Sequence, residues 1–246
     1  MKHFLKSPAH YKSWLETPSE STPALNFGRD LHCYVLERDL FESSYIEAIS
    51  VDRRTKAGKA EWAEFQAMAK DKTIISPDDQ QLIKTMDEAL RSHAVANSLL
   101  YASKGENERE IYWKNQVYGF GCKCKPDRIN FDFDITIDLK TAEDASPKGF
   151  AKSAANYGYD IQAAWYPSGI HTLYPGRFQQ FVFVVIEKKP PHCIGIYRAS
   201  DEMVMSGQAK IRDILPRYAE CLESGMWPGY DTEIQDIQWP KWASNF

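Results

Sequence analysis

No apolar stretch of about 18–20 residues runs free of charged side chains in this 246-residue sequence, so no segment is suited to crossing a bilayer. The start, MKHFLKSPAHYKSWLE, has no apolar core followed by a small-residue cleavage site, and export is not expected. There is no internal repeat, no low-complexity tract and no Gly/Ser-rich linker, which argues against a solenoid or a string of tethered modules. Cysteine is sparse, odd in number and irregular in spacing: Cys33, Cys122, Cys124, Cys193 and Cys221. A disulfide framework is therefore not expected, and reduced thiols fit a cytoplasmic protein. Positive charge is not in excess either. Thirty Lys+Arg stand against 34 Asp+Glu, a net −4, which weighs against a uniformly basic, nonspecific nucleic-acid binder.

With 43% hydrophobic residues the chain has enough apolar material for a real core. Ser7-Pro8 and Ser76-Pro77 each read as a cap followed by proline in the first helical position. Helical rhythm runs from about Leu25 to Arg38, around His32, and again from Thr55 to about Lys70. Near Glu108 the pattern changes. Ile111, Trp113, Val117, Tyr118 and Phe120 suggest a hairpin turning near Asn115 and Gln116. Between Phe133 and Lys140 the alternation is strict: Ile135, Ile137 and Leu139 share one face, and Thr136, Asp138 and Lys140 the other. After Ser146-Pro147 helical text continues to Tyr174, broken at Tyr157-Gly158 and loosened at Pro167. Phe178 to Ile186 reads as a buried strand and Cys193 to Tyr197 as its antiparallel partner. A last helix is expected from about Ser200 to Leu222. This order implies a single α/β domain with a mixed central sheet: a helical part over 1–105, a sheet core over 106–198, and a helix and tail over 199–246.

The chemistry-bearing text is Lys125-Pro126-Asp127 followed by Asp138-Leu139-Lys140. A divalent cation needs carboxylate oxygens converging from more than one segment. Period 2 points Asp138 and Lys140 to one face of a strand, where an ammonium can orient a water and stabilise charge developing on a phosphate. The pattern suits metal-assisted phosphodiester hydrolysis, although D-x-K alone also fits an ordinary strand with an Asp–Lys contact. Gln162 and Tyr166 stand at i and i+4, on one helix face. His32 sits on an expected helix, where a packed core imidazole is the alternative to a ligand.

Taken in order, His32, Pro126-Asp127, Asp138-Leu139-Lys140 and Gln162-x-x-x-Tyr166 resemble the RecB-like branch of the PD-(D/E)xK nuclease superfamily, which has a restriction-endonuclease-like fold. The likeness extends to RecE-type exonucleases through Gly28-Arg-Asp-Leu-His32, the basic block from Arg53 to Lys59, Ile111-Tyr-Trp113, Cys122 to Arg128, Asp138 to Thr141, Tyr159-Asp-Ile-Gln162 and the terminal block from Trp239 to Ala243. These blocks follow one another along essentially the whole chain. The long amino-terminal extension of the enterobacterial RecE protein has no counterpart here, as expected of a stand-alone nuclease of phage or prophage origin acting in a bacterial host cell.

The resemblance implies a Mg²⁺-dependent enzyme, with Mn²⁺ able to substitute, that degrades one strand of duplex DNA from its 5′ end and leaves 3′ single strands. It implies His32, Asp127 and Asp138 as metal ligands, with the Leu139 carbonyl as a further one. Lys140 would position or activate the attacking water, and Gln162 and Tyr166 would support Lys140 or hold the scissile strand. An accessory acid is expected before the Pro-Asp motif; Glu108 aligns best, and Glu110 would share its face on a strand. Arg53, Arg54, Lys56 and Lys59 are candidate phosphate contacts, with a solvated helix start as the alternative, and Arg128 belongs to a second basic stretch beside the metal. Partners implied are double-stranded DNA ends, a RecT-like annealing protein and further copies of the chain in a ring. Within the superfamily, a structure-specific or restriction-type endonuclease is the alternative, and a DNA-binding module without catalysis is another. Some RecB-like nucleases hold an iron–sulfur cluster on four cysteines; only Cys122 and Cys124 are close in sequence here, so neither a cluster nor a zinc site is expected.

Overall fold

The computed structural model describes residues 1–17 and 21–240. Of the terminal block singled out above, Lys241, Trp242 and Ala243 lie outside the described residues. The chain forms two compact units, one of residues 20–209 and one of residues 1–19 with 210–246. The smaller unit contains α1 (Lys2–Lys6) and α2 (Pro8–Glu16). Its core is aromatic: Phe4, Ile214 and Cys221 are buried, with Tyr11, Tyr218 and Trp227 packed on them.

In the larger unit the elements run α3 (Pro23–Leu36), α4 (Arg38–Ser44), β1 (Tyr45–Glu47), α5 (Lys56–Met68), β2 (Thr73–Ile75), α6 (Pro77–Ser92) and α7 (Ala94–Asn97). A π-helical turn (Ser98–Ala102) leads to β3 (Gly105–Asn107), β4 (Ile111–Lys114), β5 (Gly121–Cys124), β6 (Arg128–Asn130) and β7 (Ile135–Ala142). Then come α8 (Pro147–Tyr157), α9 (Tyr159–Leu173), β8 (Gln180–Glu187), β9 (Ile194–Arg198) and the start of α10 (Asp201–Ser224). Local chemistry sets several boundaries. The side chains of Ser7, Thr22, Ser76 and Ser146 each accept a hydrogen bond from a first-turn amide, with proline next in sequence. Gly158, at φ 67°, ends α8 in the left-handed conformation that glycine adopts without a Cβ penalty, and α9 starts at once in a new direction.

Five strands form the central mixed sheet in the order β3-β6-β7-β8-β9. β7 and β8 are parallel and the other pairs antiparallel; α8 and α9 make the crossover that a parallel pair requires. The alternation expected for β7 is present. Ile135, Ile137 and Leu139 join Val182, Val184 and Ile186 of β8 under α3 and α6. On the other face Phe181, Phe183 and Val185 pack with Phe150, Ala154 and Ala163 of α8 and α9. Asp138 and Lys140 belong to this second face, where α9 covers them.

β4 and β5 form the expected hairpin, although its turn is broader than the sequence suggested. Residues 115–120 connect the strands, and the Asn115 carboxamide accepts from the amides of Val117 and Tyr118. The hairpin packs closely on α9: a Cβ added at Gly169 would lie 2.6 Å from the Trp113 ring and 2.7 Å from Cys124 Sγ. The short parallel pair β1–β2 was not expected, because three residues are too few to show a period. Among the described residues no helix is long and apolar enough to cross a membrane.

Candidate active site

β6 and β7 pair only from Arg128↔Ile137 to Asn130↔Ile135. Before Arg128 the chain leaves the ladder at Asp127, whose Oδ2 accepts from the Leu139 amide at 2.7 Å. A carboxylate thus satisfies a strand N–H that has lost its neighbour, and the two strands part. Into this divergence opens a cleft of about 720 Å³, lined among others by Gly28, His32, Glu108, Lys125, Asp127, Leu139, Lys140 and Tyr159.

Three segments bring candidate ligands together. His32 comes from α3, with Nδ1 3.4 Å from Asp127 Oδ2. Glu108 comes from the bend between β3 and β4, at φ 50°, a left-handed conformation that costs a non-glycine residue energy; its amide bonds the Asp127 carbonyl at 2.9 Å. One donor atom from each of His32, Glu108 and Asp127 lies within 4.8 Å of the others. Ligands at about 2.0–2.6 Å from a hard divalent cation span a comparable distance across it. Two carboxylates and an imidazole form an oxygen-rich set suited to Mg²⁺ or Mn²⁺ rather than to a thiophilic metal, so the residues present fit such an ion. Glu110 is not part of the cluster. It is exposed and accepts a hydrogen bond from the Tyr112 hydroxyl.

Asp138 is fully buried and stands beside this group rather than within it. Its Oδ1 is ion-paired with the Lys140 ammonium, and its Oδ2 accepts from Gln162 Nε2 on α9. Tyr166, one turn further along α9, packs against Phe181 at 6.0 Å and belongs to the aromatic core beneath the site. The Leu139 carbonyl makes backbone contact with the His32 ring, which brings it to the same cleft.

The electrostatics follow from burial. Burial, reinforced by Glu108, pushes Asp127 up to about 7. Burial and the neighbouring Asp127 also raise Asp138. Burial and then Lys140 lower His32, keeping the imidazole neutral with a lone pair to offer. Burial by itself would favour a neutral Lys140, but Asp138 and Asp127 outweigh it and hold the ammonium protonated. Three acids so close together strongly favour a cation.

The expected DNA contacts divide. Arg53, Arg54, Lys56 and Lys59 are exposed at the start of α5. Arg53 lies over the Trp62 ring at 4.6 Å, and Arg54 is paired with Asp52 at 3.0 Å. None of the four lines the cleft. Arg128 corrects the expectation: it is 5% exposed, and its guanidinium donates to the Leu99 carbonyl (3.0 Å), the Asn107 carboxamide (2.5 Å) and the Ser103 carbonyl (2.5 Å). It is a structural cation tying β6 to the π-helical turn and β3, with all three guanidinium nitrogens engaged inside the protein and the side chain buried away from phosphate. A short basic run counts charges without showing which of them a strand turns inward.

Two cleft residues have no individual role in the sequence reading, Lys125 standing there only within a basic stretch beside the metal and Tyr159 only within a motif. Lys125 Nζ lies 2.7 Å from Glu108 Oε2, and the Tyr159 ring faces Lys140. Their placement directly before Pro126-Asp127 and three residues before Gln162 was the available signal.

A model of a family described as a "PDDEXK-like domain of unknown function (DUF3799)" matches residues 1–238. Among solved structures, one from Eubacterium rectale named "putative exonuclease" superposes with a TM-score of 0.58 at 14% identity, covering 89% of this chain and 75% of its own. At that identity it shows a shared fold. SSO0001 aligns over 69% of this chain and 75% of its own, at 19% identity and a TM-score of 0.30, too low for a shared fold. No curated protein matches the sequence. The family match spans nearly the whole chain, and together with the mixed sheet and the acid–lysine cluster it makes this chain a member of the PDDEXK-like family, with the nuclease-type domain that its motifs resemble.

Proposed function

We propose that this protein is a Mg²⁺-dependent 5′→3′ exonuclease of double-stranded DNA. It would release 5′-mononucleotides and leave 3′ single strands for an annealing protein in recombination. The observation that carries the reading is the convergence of His32, Glu108 and Asp127 within 4.8 Å of one another, beside a buried Asp138 paired with Lys140. A divalent ion held by His32, Glu108 and Asp127, with Asp138 and the Leu139 carbonyl adjoining, would polarise the scissile phosphate and a bound water. Lys140, kept protonated by the surrounding acids, donates toward that water and the phosphate oxygens. Gln162 keeps the Asp138 carboxylate turned toward Lys140. In the reaction the water oxygen bonds to phosphorus, the bond to the bridging 3′ oxygen breaks, and that oxygen takes up a proton. The new end carries a 5′ phosphate and can enter the next round. Arg53, Arg54, Lys56 and Lys59 supply phosphate contacts that position the duplex without reading sequence. A ring of several copies, with DNA passing through it, would account for staying on one substrate.

The test compares 5′-labelled linear duplex with covalently closed circles, each with Mg²⁺ and with chelator. The expected result is mononucleotide release from the linear ends only, abolished by chelator. Rapid nicking of closed circles would assign an endonuclease instead. DNA binding with no hydrolysis under any divalent cation would assign a binding module.

A further inference from the structure

The segment Tyr159-Asp-Ile-Gln162 opens α9, and the chemistry above uses only its last residue. Tyr159 is the first residue of α9, directly after left-handed Gly158. Its ring lines the cleft and lies roughly parallel to the rings of Tyr157, 5.8 Å away, and Phe183, 5.9 Å away, centroid to centroid. Phe183 is the ladder partner of Asp138, so the ring rests on the strand next to the buried acid. The Lys140 ammonium sits over the face of this ring, 4.8 Å from its centroid. Residues three apart share a helix face. A single turn of α9 therefore reaches both members of the acid–lysine pair, Tyr159 meeting Lys140 and Gln162 meeting Asp138.

A lysine ammonium is a compact charge on a flexible four-carbon stem. An ion pair with Asp138 alone would draw it toward the acid and leave its direction open. An aromatic face attracts a desolvated cation through its quadrupole. Unlike a carboxylate or carbonyl, it does not take up one of the three N–H donors in a directed hydrogen bond. The ammonium is thus held from a second side while its protons stay available to water and phosphate. We propose that Tyr159 is a positioning residue for Lys140, its ring face fixing the ammonium in the orientation that hydrolysis uses. This rests on the nuclease reading above.

The test uses Tyr159→Phe, which keeps the ring, and Tyr159→Leu, which removes it. Against end-labelled duplex with Mg²⁺, Tyr159→Leu should lower kcat about ten-fold with little change in KM, and Tyr159→Phe should restore kcat. In metal-free protein labelled with ¹³Cε-lysine, the Lys140 signal, assigned by its loss in Lys140→Arg, should be displaced by the ring current in wild type and Tyr159→Phe. It should return toward the ordinary lysine position in Tyr159→Leu. An unmoved signal, an unchanged kcat in Tyr159→Leu, or a Tyr159→Phe variant as slow as Tyr159→Leu would overturn the proposal. If Tyr159→Leu does not fold, Tyr159→Met is read by the same two measurements. Wild type that degrades no duplex would sink the nuclease reading, while the lysine signal would still decide the placement of Lys140.

Discussion

The Leu139 amide and the Asp127 carboxylate are hydrogen-bonded at 2.7 Å, where β6 would have supplied a carbonyl had it continued alongside β7. The same carboxylate oxygen lies 3.4 Å from His32. Asp127 therefore has two separable functions: it completes a strand edge, and it brings negative charge to the candidate metal cluster. Asp127→Asn keeps an oxygen that can accept from Leu139 but loses the charge. Asp127→Ala leaves a buried N–H without a partner, a loss of about 1–3 kcal/mol. Thermal unfolding of the metal-free variants should rank Asp127→Ala well below Asp127→Asn, while both lose Mg²⁺-dependent hydrolysis. Equal melting temperatures would show that the strand edge does not depend on this bond.

The pH dependence of the metal-free protein follows from the same residue. Asp127 is pushed up to about 7, mainly by burial, so the folded state binds its proton more tightly than the unfolded chain does. Its contribution to stability is present at low pH and is lost as pH rises through about 7. Metal-free wild type should thus lose stability between about pH 4 and pH 7, and level off above that, relative to Asp127→Asn, which has no such proton. A divalent cation should reverse the trend, because it competes with protons and stabilises most at the higher pH. Differential scanning fluorimetry of both proteins across this range, with and without Mg²⁺, measures it. Parallel curves for the two proteins would remove Asp127 as the source.

Much of this arrangement is legible in the sequence. The strict alternation from Ile135 to Lys140 gives the faces of β7, because successive side chains of a strand point to opposite faces, and the polar face is buried here as well as the apolar one. The Ser-Pro caps and Gly158 gave helix boundaries, because they act through local backbone chemistry. The spacing alone did not divide Glu108 from Glu110; only the resemblance favoured Glu108, which is the acid in the cluster. The division depends on a left-handed bend at Glu108 that breaks the strand period and sends the two side chains to different places. Arg128 was misjudged for a related reason: its partners Leu99, Ser103 and Asn107 come from a π-helical turn and a three-residue strand, neither of which has a sequence period to announce it.

Arg128 should behave as a fold residue. Its guanidinium satisfies two backbone carbonyls and the Asn107 carboxamide in a largely buried setting. Arg128→Met fills similar volume but removes the donor to the Ser103 carbonyl and the Asn107 carboxamide, while the Leu99 carbonyl still accepts from Asn130 and Ser103, and a loss of about 2–4 kcal/mol is expected in urea unfolding. At a temperature where the variant remains folded, its DNA affinity should depend on salt as wild type does. A flatter salt dependence with unchanged stability would return Arg128 to the DNA interface.

Lys140 should separate binding from chemistry. Lys140→Met keeps the length of the stem and removes the ammonium that pairs with Asp138. Asp138 is then buried beside Asp127 without its cation, so it should favour the protonated form in the absence of metal. Hydrolysis should fall by at least about a hundred-fold, a range typical of losing a charge-stabilising donor. Filter binding to end-bearing duplex in Ca²⁺ should change little. Retained turnover would take Lys140 out of the reaction, and lost binding would make it a substrate contact instead.

The basic entrance to α5 gives a prediction in which the two arginines differ. Arg54 is 92% exposed and is already paired with Asp52, whereas Arg53 lies over Trp62 with no carboxylate partner among the described residues. Each phosphate contact releases counterions and contributes about 0.9 to the slope of log affinity against log salt for duplex DNA. Arg53→Ala should therefore flatten the slope by about one contact. Arg54→Ala should flatten it by less, because Asp52 competes with phosphate for the same guanidinium. Asp52→Asn should release Arg54 and steepen the slope. If the double variant Arg53→Ala with Arg54→Ala leaves the slope where it was, the run is a solvated helix start, and the DNA path must be sought among the cations that line the cleft, Lys125 first.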